Sequence, residues 1–172
     1  MKPILSRLSL LALALSLGAC SSAPPPPVPV DTTTPAQRMA VVEKVAGVED
    51  TELSVQPLRD PQVGDLRESA QRKRAAGDLA GAAGLLDQAL ALVADDPGVL
   101  QERAEVALLQ GDWPNAEKFA KRAVDLGSKT GPVCRRHWAT IEQARLARGE
   151  KENAASAQAQ IDACTVPGIK RY

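Results

Sequence analysis

The chain from Asp60 onwards repeats a pattern of apolar, small and glycine positions. Gly77-Asp78 recurs as Gly111-Asp112, 34 residues later. Four further pairs recur at the same interval, namely Leu66 and Leu100, Leu79 and Trp113, Ala82 and Ala116, and Ala89 and Ala123. A third copy follows after four extra residues, with Trp138, Gly149-Glu150 and Ala154. Fixed self-similarity indicates a repeat fold rather than a helical bundle with accidental spacing.

Each copy is predicted to form two helices joined by a glycine turn. The first helices begin at Asp60-Pro61, Asp96-Pro97 and Gly131-Pro132, because proline is favoured at the first helical position and aspartate before it. Glycine ends each of them, at Gly77, Gly111 and Gly149. The second helices begin near Leu79, Pro114 and Lys151 and repeat apolar residues at helical spacing. One hairpin cannot bury its apolar side alone, so the copies must stack.

These positions resemble the tetratricopeptide repeat. That family has a large apolar residue, a small residue four positions on, glycine near the turn, and then alanine, a large residue and alanine. The matching residues are Leu66, Ala70, Gly77, Leu79, Ala82, Leu86 and Ala89 in copy one, and Leu100, Ala104, Gly111, Trp113, Ala116 and Ala123 in copy two, where Ala120 replaces a large residue. Copy three keeps Trp138, Gly149 and Ala154 but has Glu142, Gln158 and Asp162 at other family positions. The resemblance implies an all-α solenoid of about three hairpins, with copy three at the end.

The resemblance also implies a concave groove along the first helices, which in this family holds an extended peptide or a partner helix. The candidate groove residues are Arg67, Gln71, Arg74, Gln101, Glu102, Glu105, Leu108, Arg136, Thr140 and Gln143. Some members bind a C-terminal carboxylate with basic residues and asparagine. Glu102 stands where that asparagine would be, and an acid there repels a carboxylate, so we do not expect this clamp. A solvated helix face is an equal alternative for each residue, and the expected one for Lys118, Lys121 and Arg122.

The N-terminus has the layout of a secretory signal. Lys2 and Arg7 precede an apolar run from Leu8 to Leu17, which is too short to span a bilayer and makes a retained anchor the weaker alternative. Leu17-Gly18-Ala19-Cys20 resembles the bacterial lipobox, which implies cleavage before Cys20 and lipidation of that residue. Several acyl chains anchor a protein stably. Ser21 instead of aspartate points by the family rule to the outer membrane, facing the periplasm.

Composition then divides the chain into predicted parts. Six prolines between residues 24 and 35 make 20–36 a spacer that could reach about 45 Å, with a PxxP ligand as the alternative. Residues 37–60 are an extension, with a short helix over Gln37 to Gly47, whose Met39, Val42 and Ala46 lie on one side, and an extended segment at Glu52 to Leu58. The acids Glu49, Asp50 and Glu52 suggest that this extension lies across the basic side of the groove. The predicted parts are therefore a signal peptide (1–19), a linker that begins with the lipidated cysteine (20–36), this extension (37–60), the repeat domain (61–166) and a tail (167–172).

The two remaining cysteines lie at neighbouring ends of the last hairpin. Cys134 is near the start of its first helix and Cys164 at the end of its second. Export leads to a compartment where disulfides persist, so we predict a Cys134–Cys164 bond. Two free thiols or a redox pair are the alternatives.

Charge and residue types then restrict the function. The mature chain would hold 19 basic and 21 acidic side chains, which gives no electrostatic basis for nucleic-acid binding. His137 is the only histidine, expected to be a partly exposed helix residue, and no metal, cofactor, phosphate-loop or nucleophile pattern is present in the sequence. We therefore predict a non-enzyme that binds periplasmic or envelope proteins, as an adaptor or scaffold of the kind that serves pili, barrel assembly or peptidoglycan enzymes. The alternative is a fixed structural subunit of an envelope or secretion complex.

Overall fold

The computed structural model describes residues 31–47 and 60–165. These residues contain seven α-helices, which are α1 (Pro35–Ala46), α2 (Pro61–Ala75), α3 (Leu79–Leu92), α4 (Pro97–Gln110), α5 (Trp113–Leu126), α6 (Gly131–Ala147) and α7 (Lys151–Ala163). The predicted signal peptide, the predicted lipidation site Cys20, most of the predicted spacer, the predicted extended segment at Glu52 to Leu58 and the tail lie outside the described residues.

Helices α2 to α7 form three sequential hairpins. Within each copy the two helices pack together, and α3 packs on α4 as α5 packs on α6, so neighbouring copies stack. This arrangement confirms the predicted all-α repeat fold. The observed helix starts also agree with the predicted ones, except that α5 begins at Trp113, one residue before Pro114.

The turn inside each hairpin has the same backbone geometry. Gly77, Gly111 and Gly149 all have positive φ angles, between 75° and 79°. In the central turn Asp112 N–H donates to Ala107 O at 2.9 Å and Gly111 N–H donates to Leu108 O at 3.1 Å. This pair of bonds is the Schellman ending, which needs a left-handed residue that glycine supplies at the lowest cost.

Aspartates fix the starts of four helices. Asp60 and Asp96 accept hydrogen bonds from backbone N–H groups at the starts of α2 and α4, as predicted. The acids that follow two of the turn glycines, Asp78 and Asp112, cap α3 and α5 in the same way. The third copy differs because Glu150 makes no side-chain cap for α7.

Small side chains occupy the sites where the helices cross. The repeated alanines are almost completely buried, with at most 2% exposure, at Ala70, Ala82, Ala89, Ala104, Ala116, Ala123 and Ala154. A methyl group at such a site lets two helix backbones approach closely, and larger residues such as Leu86, Leu100 and Ile141 fill the space between. Gln158 and Asp162 are exposed on α7, as expected of a terminal helix.

Helix α1 precedes the repeats and packs against α6 and α4. It begins at Pro35, two residues before the predicted start. Thr34 and Gln37 form a capping box in which the Thr34 hydroxyl accepts from Gln37 N–H at 3.2 Å and Gln37 Oε1 accepts from Thr34 N–H at 2.8 Å. Met39, Val42 and Ala46 lie on its buried side.

The structure contains the predicted Cys134–Cys164 disulfide, with Cα atoms 5.7 Å apart. Both cysteines are buried. Gly131 N–H also donates to Cys164 O at 2.8 Å, so the start of α6 and the end of α7 are joined by a covalent bond and a hydrogen bond.

We expect replacement of both cysteines, by Cys134→Ala with Cys164→Ala, to lower the free energy of unfolding by about 3–4 kcal/mol in the chain-entropy model. The bond spans a sequence separation of 30, and its loss returns loop entropy to the unfolded chain. Urea unfolding of the two proteins measures the difference. Added reductant should destabilise the wild type and leave the variant unchanged, and an equal effect on both would contradict this explanation.

Candidate partner-binding surface

Helix α1 and the three first helices carry a row of alternating charges across the concave side. Glu43, Arg74, Glu105 and Arg136 follow one another at intervals of 31 residues, and each contacts the next. Glu105 is the centre of the row and is only 1% exposed. Its carboxylate accepts hydrogen bonds from Arg74 Nη1 at 2.8 Å and Arg136 Nη2 at 2.9 Å, and it also contacts Arg136 Nε.

The two arginines keep Glu105 ionised. Burial by itself would raise the pKa of Glu105, but the hydrogen bonds and charge of Arg136, with help from Gln101 and Arg74, hold that pKa below its usual value. The same contact raises the pKa of Arg136. The ion pairs of the row therefore join all three copies.

A second ion pair occupies the end of the groove at copy one. Arg67 donates to both oxygens of Glu102, at 2.9 Å and 2.6 Å, and Gln71 donates to the same carboxylate at 3.2 Å. Arg67 is thus bound to Glu102 within the protein.

A neutral hydrogen-bond network lies below the charged row. Gln101 Nε2 donates to Glu105 and to Thr140 Oγ1, each at 2.9 Å, and Gln101 Oε1 lies 2.7 Å from His137 Nδ1. Because that oxygen can only accept, we place the His137 proton on Nδ1. The His137 Nε2 atom is buried, and no group among the described residues bonds to it.

The expectation that His137 is partly exposed was wrong, since its side chain is 1% exposed. Gly127 is the reason that an imidazole fits there. A Cβ at Gly127 would lie 3.1 Å from His137 Nε2 and 2.7 Å from Ala123 O, so this glycine permits the close approach. Burial lowers the pKa of His137 to about 4, with opposing influence from Glu105 and further lowering by Arg136 and Lys129.

Helix α1 covers the groove at copies two and three. Arg38 Nη1 donates to the Gln143 backbone oxygen and side-chain oxygen, both at 3.3 Å, and its guanidinium lies 5.7 Å from the Trp113 ring centre. At the other end of α1, Arg135 Nη2 donates to Ala46 O at 3.0 Å. These two contacts show that α1 runs antiparallel to α6.

The predicted groove residues therefore divide into a covered and an uncovered set. Gln101, Glu105, Leu108, Thr140 and Gln143 are buried, whereas Arg67, Arg74 and Arg136 are half-buried and Gln71 is exposed. Sequence reasoning missed Arg38 and Glu43 as groove residues. The signal that could have found them is the apolar side of α1, since an exposed helix rarely has one.

The convex side holds a separate group of ions. Glu117 contacts Lys121, Arg145 and Arg148. Burial by itself would raise the pKa of Glu117, but the hydrogen bonds from these three cations lower that pKa to about 2. Lys121 and Arg122 are about half exposed, and Arg122 pairs with Asp95 at 2.5 Å. Lys118 is exposed beside Phe119, so this face is solvated as expected, with local pairing.

Within 31–47 and 60–165 no group of three histidine, cysteine, aspartate or glutamate side chains is placed to hold a metal ion. Over the same residues no helix has the length and apolar character needed to cross a membrane.

Stacked hairpins with alanine crossings and a row of first helices define a tetratricopeptide repeat domain. No protein-family model and no curated protein matches the chain. Among solved structures, the globular C-terminal domain of P. aeruginosa LpoP is similar at 31% sequence identity and a TM-score of 0.57, over 61% of this chain and 99% of that one. The chain belongs to the family of LpoP, a tetratricopeptide-containing outer-membrane lipoprotein.

We expect Glu105→Ala to destabilise the domain by about 3–5 kcal/mol, because it leaves the half-buried Arg74 and Arg136 without their shared partner. Glu68→Ala is the control, since Glu68 and Arg72 form a pair that is more than 60% exposed and should change stability by less than about 0.5 kcal/mol. Urea unfolding at neutral pH measures both. Equal small effects would show that the charged row adds little to stability.

His137 should make the domain less stable as the pH falls. Its pKa is about 4 when folded and 6.5 when free, so the unfolded chain binds the proton more strongly. The stability from the neutral ring is complete above pH 6.5 and is lost as the pH falls towards 4, to a total of about 3 kcal/mol. Urea unfolding between pH 7 and 5 should show this slope in the wild type and not in His137→Gln. An NMR titration of the single imidazole with a midpoint near 6.5 in the folded protein would contradict it.

Proposed function

We propose that the mature protein is an outer-membrane-anchored adaptor that binds and activates a peptidoglycan synthase of the penicillin-binding-protein class. The observation on which the proposal depends is the 31% identity to the LpoP domain, which the chain covers over 99% of its length. LpoP is a non-catalytic outer-membrane lipoprotein that activates peptidoglycan synthase. An envelope protein partner of that class fits the same resemblance.

The proposed anchor is lipid on Cys20. The lipobox-like Leu17-Gly18-Ala19-Cys20 and the proline-rich spacer support an attachment from which the domain extends into the periplasm. A synthase in the inner membrane lies across that space, so a domain on a tether is suited to reach it.

We assign partner contact to the uncovered end of the concave surface, formed by α2 with α1 beside it. Gln71 is exposed there, next to the half-buried Arg67 and Arg74. These groups are already paired within the protein. A partner therefore needs polar groups that can hydrogen-bond to the paired side chains, rather than a strongly charged segment. Mixed charge of this kind gives orientation more than affinity.

The test is glycan polymerisation by a purified bifunctional synthase from the same cells, with and without the mature protein. We expect a several-fold rate increase with the wild type and loss of that increase with Gln71→Trp, which places a large ring in the open groove. Gln88→Trp is the matched control, because Gln88 is an exposed glutamine on α3 and should leave activation unchanged.

No stimulation by the wild type would reject the synthase as the partner. Stimulation that both tryptophan variants keep would retain the synthase and reject the groove as its contact surface. A complex of fixed stoichiometry that resists salt, with no change in rate, would favour a structural subunit.

A further inference from the structure

We infer that α1 is an exchangeable occupant of the groove, and that the partner segment displacing it is an amphipathic helix with the same residue pattern. This inference depends on the proposed function for its biological meaning, although its test uses no synthase. It extends that function by naming what enters the covered part of the groove and what must leave first.

The first argument is position. Helix α1 lies on α4 and α6, which are first helices of their copies and form the concave surface where this fold accepts helices. Leu108 and Gln143 of that surface are buried in the presence of α1, and Arg38 reaches Gln143 directly. A second helix cannot occupy this part of the surface while α1 is there.

The second argument is the small apolar content of the contact. The fully buried apolar residues of α1 are Met39, Val42 and Ala46, and the partly buried Val45 packs against the same core. Beside them Arg38 is 3% exposed, and within the part of the chain that the structure describes its Nε–H has no hydrogen-bond partner. A buried donor without an acceptor opposes docking, so the apolar contacts are offset in part.

The third argument is the connection. Among the described helices α1 has no hairpin partner, since it packs against α6 and α4 and residues 48–59 separate it from α2. A 12-residue helix is marginal in water by itself, so α1 depends on the groove for its order. Opening therefore removes α1 as a unit and leaves the three hairpins intact.

The groove specifies the chemistry of the competing helix. A competing helix needs an arginine that contacts Gln143 and Trp113, as Arg38 does. It also needs apolar residues one and four positions after that arginine and a small residue eight positions after it, as Met39, Val42 and Ala46 provide. An acid five positions after the arginine would take the place of Glu43 beside Arg74, 3.3 Å away. The helix would lie antiparallel to α6.

The probe is a fluorescent synthetic peptide of residues 31–47, mixed with the full mature protein. In the wild type the attached α1 competes at an effective concentration in the millimolar range, which weakens peptide binding. We expect Met39→Ala with Val42→Ala in the protein to release its own α1 and bind the peptide at least about tenfold more tightly. Lys44→Ala, an exposed position on the same helix, should behave as the wild type.

Equal binding by the wild type and the double variant, or no binding by either, would overturn the inference. Hydrogen exchange on the wild type provides a second readout that needs no variant. The amides of α1 should exchange at least about tenfold faster than those of α4 and α6, because they open locally. Equal rates would mean that α1 leaves only when the whole domain unfolds, and this would also overturn the inference. Neither result changes what the synthase assay says about the proposed function.

Discussion

A pair of antiparallel helices has an apolar side that only another pair can cover, and the distance at which the pairs meet decides the rest of this structure. Alanines at the crossings, such as Ala82, Ala116 and Ala123, set that distance at the minimum that a side chain permits. Close packing aligns the first helices side by side on one surface. The charged row follows from that alignment, because charges on α2, α4 and α6 then come within contact of one another.

The buried charges add a constraint that packing alone does not provide. Methyl groups tolerate small shifts of one hairpin along the next, whereas the Glu105 carboxylate must meet both Arg74 and Arg136. A shifted stack would leave an ion buried without a partner, which costs several kcal/mol. The row from Glu43 to Arg136 therefore acts as a check on register across four helices, and we regard this specificity as its main contribution to the native state.

Local features of the fold could be predicted from the sequence. Helix starts at Asp60-Pro61 and Asp96-Pro97, the glycine turns and the neighbouring cysteines each depend on residues within one copy or one hairpin. Features that depend on distant residues could not. The burial of His137 depends on Gly127 in the preceding turn, between α5 and α6, and on Gln101 one copy away, and neither distance is visible in a linear pattern.

The covered part of the groove illustrates the same limit. The apolar side of α1 was visible in the sequence, but the surface of α6 on which it packs lies about one hundred residues further along the chain. Charge alone suggested that Glu49, Asp50 and Glu52 would cross the groove, and these acids lie outside the described residues. The helix that does occupy the surface is held by Arg38, Met39 and Val42 instead, through contacts that the repeat pattern of other tetratricopeptide proteins does not imply.

The contact between Arg38 and Gln143 has a consequence for the order of events during biosynthesis. The two residues are separated by 105 positions, so α1, the first of the described helices, cannot complete this contact until α6 has also been made. Chains are synthesised from the N-terminus, and hairpins close locally and fast, whereas this contact needs a long loop to close. We therefore expect α1 to dock after the hairpins have closed, so that the groove is open during that interval.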